Sequence, residues 1–117
     1  MRHRNKGFIL DRKKGPREAL LAGLATSIIL YEKIKTTRAK AAAVRPLVER
    51  VITAGRTGSI IGRRKVSAYL RGNENAAKKV MEVIGPRYKE RAGGYVRVTK
   101  LMQRMGDGAE MVQIELV

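Results

Sequence analysis

At 117 residues with 26 Lys and Arg against 10 acids, the chain carries a formal charge of +16 and a pI near 11.0, far beyond the roughly 2 to 8 charges that suit a small soluble domain, so it gains most by lying against a polyanion. One domain with a small core is the size class, and the absence of cysteine excludes disulfides and thiol or thiolate-metal chemistry and agrees with a cytoplasmic protein. With no Trp and one Phe, the aromatic-faced basic helix that a membrane surface calls for is missing, and nucleic acid is the favoured partner.

Residues 1–15, MRHRNKGFILDRKKG, have neither helical period nor alternation. Seven Lys or Arg meet one Asp in the first seventeen positions, which predicts a basic arm that orders on a partner. Its basic start lacks the apolar run and cleavage site of a secretory signal. Ile9 and Leu10 are expected to anchor the arm, with Phe8 either anchoring or stacking on a base. Gly15-Pro16-Arg17-Glu18 opens a first helix to about Leu30, its stripe formed by Leu20, Leu21, Leu24, Ile28 and Tyr31. Gly23 inside it implies a bend or a close contact, and the apolar run over residues 19–31 is too short to span a bilayer.

Lys33-Ile34-Lys35-Thr36-Thr37 predicts a strand, and Thr37 then caps a second helix with the stripe Val44, Leu47, Val48, Val51 and Ile52. That stripe runs in phase through Pro46, so a kink is expected rather than a break. Ser59 caps a third helix carrying Ile61, Val66, Tyr69 and Leu70. Asn73 caps a fourth carrying Ala76, Ala77, Val80, Met81 and Ile84. Gly85-Pro86 reads as its stop, with glycine in the left-handed position.

Beyond it, Val96 and Val98, then Val112, Ile114 and Leu116, alternate with polar neighbours on either side of a turn at MGDGA. The resulting order is tail-α-β-α-α-α-β-β. It predicts an α+β fold in which a small three-stranded sheet packs against about four helices, with residues 1–15 as arm and 16–117 as one compact domain.

Catalysis needs a base, a nucleophile or a metal cluster held together. The one histidine, His3, stands alone in the arm and reads as a polar residue near phosphate. Glu49, Glu74, Glu82 and Glu90 read as partners for nearby bases, and Gly106-Asp107-Gly108 offers too few ligands for calcium. The pattern therefore predicts no enzyme, no metal, no cofactor and no small-molecule substrate.

Basic residues fall instead in several places: Arg2, Arg4, Lys6, Arg12, Lys13, Lys14 and Arg17 in the arm; Lys33, Lys35, Arg38 and Lys40 at the strand–helix junction; Arg63, Arg64 and Lys65 on the third helix; and Arg87, Lys89, Arg91, Arg97, Lys100 and Arg104 near the end. A DNA-reading module concentrates its bases on one recognition element. Dispersed charge suits folded RNA held through its backbone. Gly93-Gly94 is either a steric turn or a place where backbone approaches a phosphate, and Tyr88 and Tyr95 either stack on bases or pack in the core. Two alternatives stand beside this reading: a nucleoid-type DNA-binding protein, which shares the charge argument, and an enzyme that modifies or cleaves RNA, for which a clustered base, metal set or cofactor loop is lacking.

The opening MRHR and GFILDR, the EKIKTT segment, GPRYKERAGGYVRV and the closing GDGAEMVQIELV resemble the bacterial large-subunit ribosomal protein L17 family, in the same order over nearly the whole chain. The resemblance implies a structural protein of the large ribosomal subunit, bound to its ribosomal RNA toward the peptide-exit side among neighbouring ribosomal proteins. It carries Arg2, His3, Arg4, Gly7, Leu10 and Arg12 over to the family's arm. Lys35-Thr36-Thr37 fall on its short strand and cap, and Arg87, Arg91, Gly93, Gly94, Tyr95 and Arg97 on its glycine-turn block. Asp11 stands where the family usually has Asn, and Lys13-Lys14-Gly15-Pro16 replaces a stretch with Ser and His.

Overall fold

Helix α1 (Lys14–Tyr31) starts two residues before Pro16, expected at its first position, and ends at Glu32, whose φ of 63° turns the chain while its N–H still reaches the Ile28 carbonyl. The computed structural model describes His3 and residues 7–117; the expectations for Arg2, Arg4 and Lys6 lie outside the described residues. Strand β1 (Lys33–Thr37) follows at once. The Thr37 hydroxyl then accepts the Lys40 N–H at 3.4 Å and opens α2 (Arg38–Arg56), a single helix through Pro46. Ser59 caps α3 (Ile60–Tyr69) by accepting the Gly62 N–H at 3.0 Å, and Asn73 caps α4 (Glu74–Lys79) by accepting the Ala76 N–H at 3.0 Å. These are short polar side chains satisfying first-turn amides that have no partner within the helix.

Strands β2 (Val96–Lys100) and β3 (Met111–Leu116) complete an antiparallel sheet in the order β1-β3-β2. The last strand in sequence is therefore central. The register sets Ile34, Ile114 and Val98 in one row and Lys33, Glu115 and Arg97 in the next. Because successive residues point to opposite faces, Ile34, Thr36, Val112 and Ile114 turn toward the helices. Helix α2 packs against all three strands, α1 against β1 and β3, and α3 against α2 and α4. The core gathers Ala25, Ile28 and Ile29 of α1, Val44, Val48, Val51 and Ile52 of α2, then Val66, Val80, Ile84, Tyr95 and Ile114.

Several expectations need correcting or narrowing. Helix α1 buries Ala22, Ala25, Ile28 and Ile29, with Leu21 and Leu24 packed at the edge of the core, while Tyr31 is 73% exposed: the inward face is turned away from Tyr31 and takes in Ala22, Ala25 and Ile29 instead. Ile61 is exposed, since α3 turns Gly62, Val66 and Leu70 inward and Gly62 rests directly on the Ala54 carbonyl. Of the two readings of Gly23, the close contact falls away: it is exposed, and no atom among the described residues lies near a side chain placed there. Ile9 is exposed and does not anchor the arm.

The last is Gly85. Its φ is −54°, not left-handed. Helix α4 runs on through a π-helical turn, Val80–Ile84, into a last short turn, α5 (Gly85–Arg87). The Gly85 N–H bonds the Val80 carbonyl five residues back, a widening that accommodates Pro86, which has no N–H to give and whose ring would crowd an α-helical carbonyl. Gly85 is small because a Cβ there would lie 2.6 Å from the Gly55 carbonyl oxygen.

Candidate nucleic-acid interface

The sheet face turned away from the helices carries Lys33 and Lys35 on one edge strand, Arg97 and Thr99 on the other, and Gln113 and Glu115 between them. Lys33, Lys35, Arg97 and Thr99 are exposed. Lys33, Lys35 and Arg97 have no ion-pair partner within 4.0 Å among the described residues. No aromatic ring lies on these three strands. The face thus offers point charges, a guanidinium fork and neutral hydrogen-bonding groups, and no platform for stacking.

The glycine-turn block divides. Tyr95 is fully buried: its hydroxyl accepts from Arg56 Nη1 at 2.7 Å and donates to the Arg91 carbonyl at 3.2 Å. Its ring packs on that of Tyr88 at 5.2 Å, tilted 54°, and the Tyr88 hydroxyl donates to the Val117 carbonyl at 2.6 Å. Neither ring presents a face to a base, so of the two readings both tyrosines take the core one, which removes Tyr95 from the contact surface. Arg91 Nε donates to the Gly93 carbonyl at 3.1 Å, and Gly94 takes φ +64°, so the turn is held from within. No atom of the described residues lies within 4 Å of a Cβ built at Gly93 or Gly94, leaving the backbone open to approach.

Three more of the expected contact residues already serve the fold. Arg104 grips Asp107 with two hydrogen bonds, at 2.6 and 3.2 Å, and Arg38 meets Glu110 at 3.2 Å. The Arg104 guanidinium, helped by the Ala109 N–H, holds the Asp107 carboxyl down at about 2, below the usual 3.8. Arg87 is paired with Glu32, which raises its own pKa.

Glu32 went unnoticed in the sequence, yet it joins three elements. Its carboxylate meets Arg87 and, at 4.0 Å, Lys79; its carbonyl accepts the Leu116 N–H at 2.9 Å; and Lys79 also donates to the Leu30 carbonyl at 2.9 Å. The Lys79 bond satisfies a carbonyl in the last turn of α1, where a cation is favoured. A lone acid followed at once by two lysines in a strand-like run was the available signal.

Elsewhere the cations stay outward. Arg63, Arg64 and Lys65 are exposed on α3, as are Arg12, Lys13 and Lys14 before and at the start of α1; Arg17 and Lys40 are half-buried; Lys89, Lys100 and His3 are exposed. Arg50, overlooked earlier, stands on the polar side of α2 and lines a groove of about 720 Å³ with Thr53, Thr57, Ser59, Lys65 and Tyr69. Phe8 is half-exposed beside the start of α2, bordering an open hollow with Ala39, Ala42 and Ala109. Among the described residues no His, Cys, Asp and Glu group is arranged to hold a metal ion, and no helix is long and apolar enough to cross a membrane.

An α+β body with one face of its sheet uncovered and cations spread over several surfaces defines a class: small basic proteins shaped to sit against a polyanionic scaffold. Residues 20–117 match the family model described as Ribosomal protein L17, and the chain belongs to that family. It is 50% identical over 117 residues to the large ribosomal subunit protein bL17 of Paramagnetospirillum magneticum, covering all of this chain and 83% of that one. Identity to the bL17 protein of an Exiguobacterium species is 47% over 112 residues, covering 92% of this chain and 96% of the relative. The Solibacter usitatus bL17 protein is 49% identical over 117 residues, and the chain spans 77% of its length.

Proposed function

We propose that this chain is a structural constituent of the large ribosomal subunit in the cytoplasm, where it stabilises folded ribosomal RNA mainly through phosphate contacts and lies beside neighbouring ribosomal proteins. Family membership supplies the particle. The observation that carries the contact surface is the uncovered sheet face, where Lys33, Lys35 and Arg97 stand exposed without ion-pair partners among the described residues. Cations whose charge is not matched within the protein release counterions when they meet phosphate, and that release drives binding without reading sequence. Thr99 and Gln113 beside them suit phosphate oxygens and sugar hydroxyls.

Arg63, Arg64 and Lys65 on α3, and Arg12, Lys13, Lys14 and Arg17 around the start of α1, extend the same kind of contact to other RNA segments; Arg2, His3, Arg4 and Lys6 join them through the sequence alone. Lys40, Lys89 and Lys100 add charge at the rims, and the open Gly93-Gly94 backbone leaves room for a phosphate. Ultraviolet crosslinking of purified large subunits tests this, with the sheet-face peptides expected to carry RNA adducts. Binding of the purified chain to duplex DNA as tight as to structured large-subunit RNA would replace this reading with a nucleoid-type one.

A further inference from the structure

The β2–β3 hairpin continues past the sheet as a fixed finger. The Leu101 N–H bonds the Met111 carbonyl at 2.9 Å, the Arg104 N–H the Ala109 carbonyl at 2.9 Å, and the Gly108 N–H the Arg104 carbonyl at 3.0 Å. Asp107 Oδ1 accepts from the Ala109 N–H at 3.1 Å and from Arg104, clamping the tip. On this finger Met102 is 89% exposed and Met105 96%, with Leu101 half-exposed below them.

Its electrostatics differ from the rest of the molecule. The charged groups of residues 101–110 are Arg104, Asp107 and Glu110, and Arg38 of α2 pairs with Glu110. Two of the 26 cations and two of the 10 acids cancel there, so the entire surplus of +16 lies elsewhere. Arg104, expected from the sequence to touch phosphate, is spent on Asp107. A locally neutral tip that carries two exposed methionines, its one guanidinium already paired, offers little to a phosphate backbone. It suits an apolar protein pocket, where methionine adapts its shape and a prefixed loop has little order left to lose.

We infer that the Leu101–Glu110 finger is a protein-docking element that inserts Met102 and Met105 into an uncharged apolar recess of a neighbouring protein in the particle. This rests on the ribosomal reading above but names a different surface from the RNA-facing sheet. The test uses the full chain carrying the photocrosslinker p-benzoylphenylalanine at position 105, and in a second variant at position 35, each assembled into large subunits.

After irradiation, the position 105 adduct should survive nuclease and yield one protein partner by mass spectrometry, while the position 35 adduct should be RNA. A position 105 adduct only to RNA, or none where position 35 reacts, overturns the docking element and leaves the ribosomal reading intact. A chain that never enters large subunits overturns both. Met102→Asp with Met105→Asp should leave RNA affinity of the purified chain within about twofold but lower its occupancy in competition with wild type by about tenfold or more, as loss of a central apolar anchor does. Unchanged occupancy would also sink the inference.

Discussion

The Tyr95 hydroxyl is occupied on both sides, by Arg56 as donor and the Arg91 carbonyl as acceptor, around a ring that no solvent reaches. Tyr95→Phe keeps the ring and leaves the half-buried Arg56 without that acceptor. A group stranded in this way costs about 1–3 kcal/mol, which urea denaturation of the purified chain should show; a cost near zero would mean that water replaces the hydroxyl. Asp107 gives a second residue-level expectation. Its folded pKa of about 2 lies below the ordinary 3.8, so its clamp is complete above about pH 4 and is lost as pH falls toward 2. The Ala109 amide shift in an NMR titration should follow with a midpoint near 2, whereas a midpoint at the ordinary carboxylate value would show the clamp open in solution. Neither role was legible beforehand. A tyrosine beside two glycines and two arginines looks the same whether it stacks outward or packs inward, and only the tertiary position of Arg56, 39 residues away, decides.

At the scale of elements the sequence was more legible, because element type follows from periodicity and end signals that are local. Thr37, Ser59 and Asn73 cap the helices they were expected to cap, and the period-two runs became strands. Strand order and helix closeness were less legible, since they depend on what each face meets. Val98 shares its row with Ile114 but lies on an edge strand and is 37% exposed, where Ile114 is fully buried. The glycines make the same point with a measurable contrast. A Cβ at Gly85 would meet the Gly55 carbonyl oxygen at 2.6 Å, and one at Gly62 would meet the Ala54 carbonyl oxygen at 2.4 Å, both backbone atoms that cannot swing aside. Gly85→Ala and Gly62→Ala should each destabilise by about 1–3 kcal/mol, as overpacking does. Gly23→Ala, in the exposed interior of α1 with no atom of the described residues within 4 Å of the new Cβ, should stabilise by up to about 1 kcal/mol through helix propensity. Thermal melts of the three variants decide it; a stabilised Gly85→Ala would mean that the α2–α5 crossing has slack.

For the whole molecule, charge was legible as a total but not as a division of labour. The structure separates cations that close the fold from cations that face outward. Arg87 is held by Glu32 and Arg104 by Asp107, whereas Lys35 and Arg97 stand on the open sheet face and Arg64 on α3. Salt dependence distinguishes the two sets. Each outward cation that neutralises a phosphate contributes close to one to the slope of log affinity against log salt, so Lys35→Ala, Arg97→Ala and Arg64→Ala should each flatten it by about 0.7–0.9. Their melting temperatures should stay near wild type, since each is exposed and without an ion-pair partner among the described residues. Arg104→Ala removes a cation that Asp107 already neutralises, and should leave the slope nearly unchanged while loosening the finger. Arg87→Ala should lower the melting temperature, because Glu32 then faces α5 without its nearer partner, again with little change in slope. The measurement is a salt titration of binding to a large-subunit RNA fragment, paired with a thermal melt of each variant. If Arg104 and Arg87 flatten the slope as much as Arg97 does, their ion pairs open on binding and the separation between fold and interface fails.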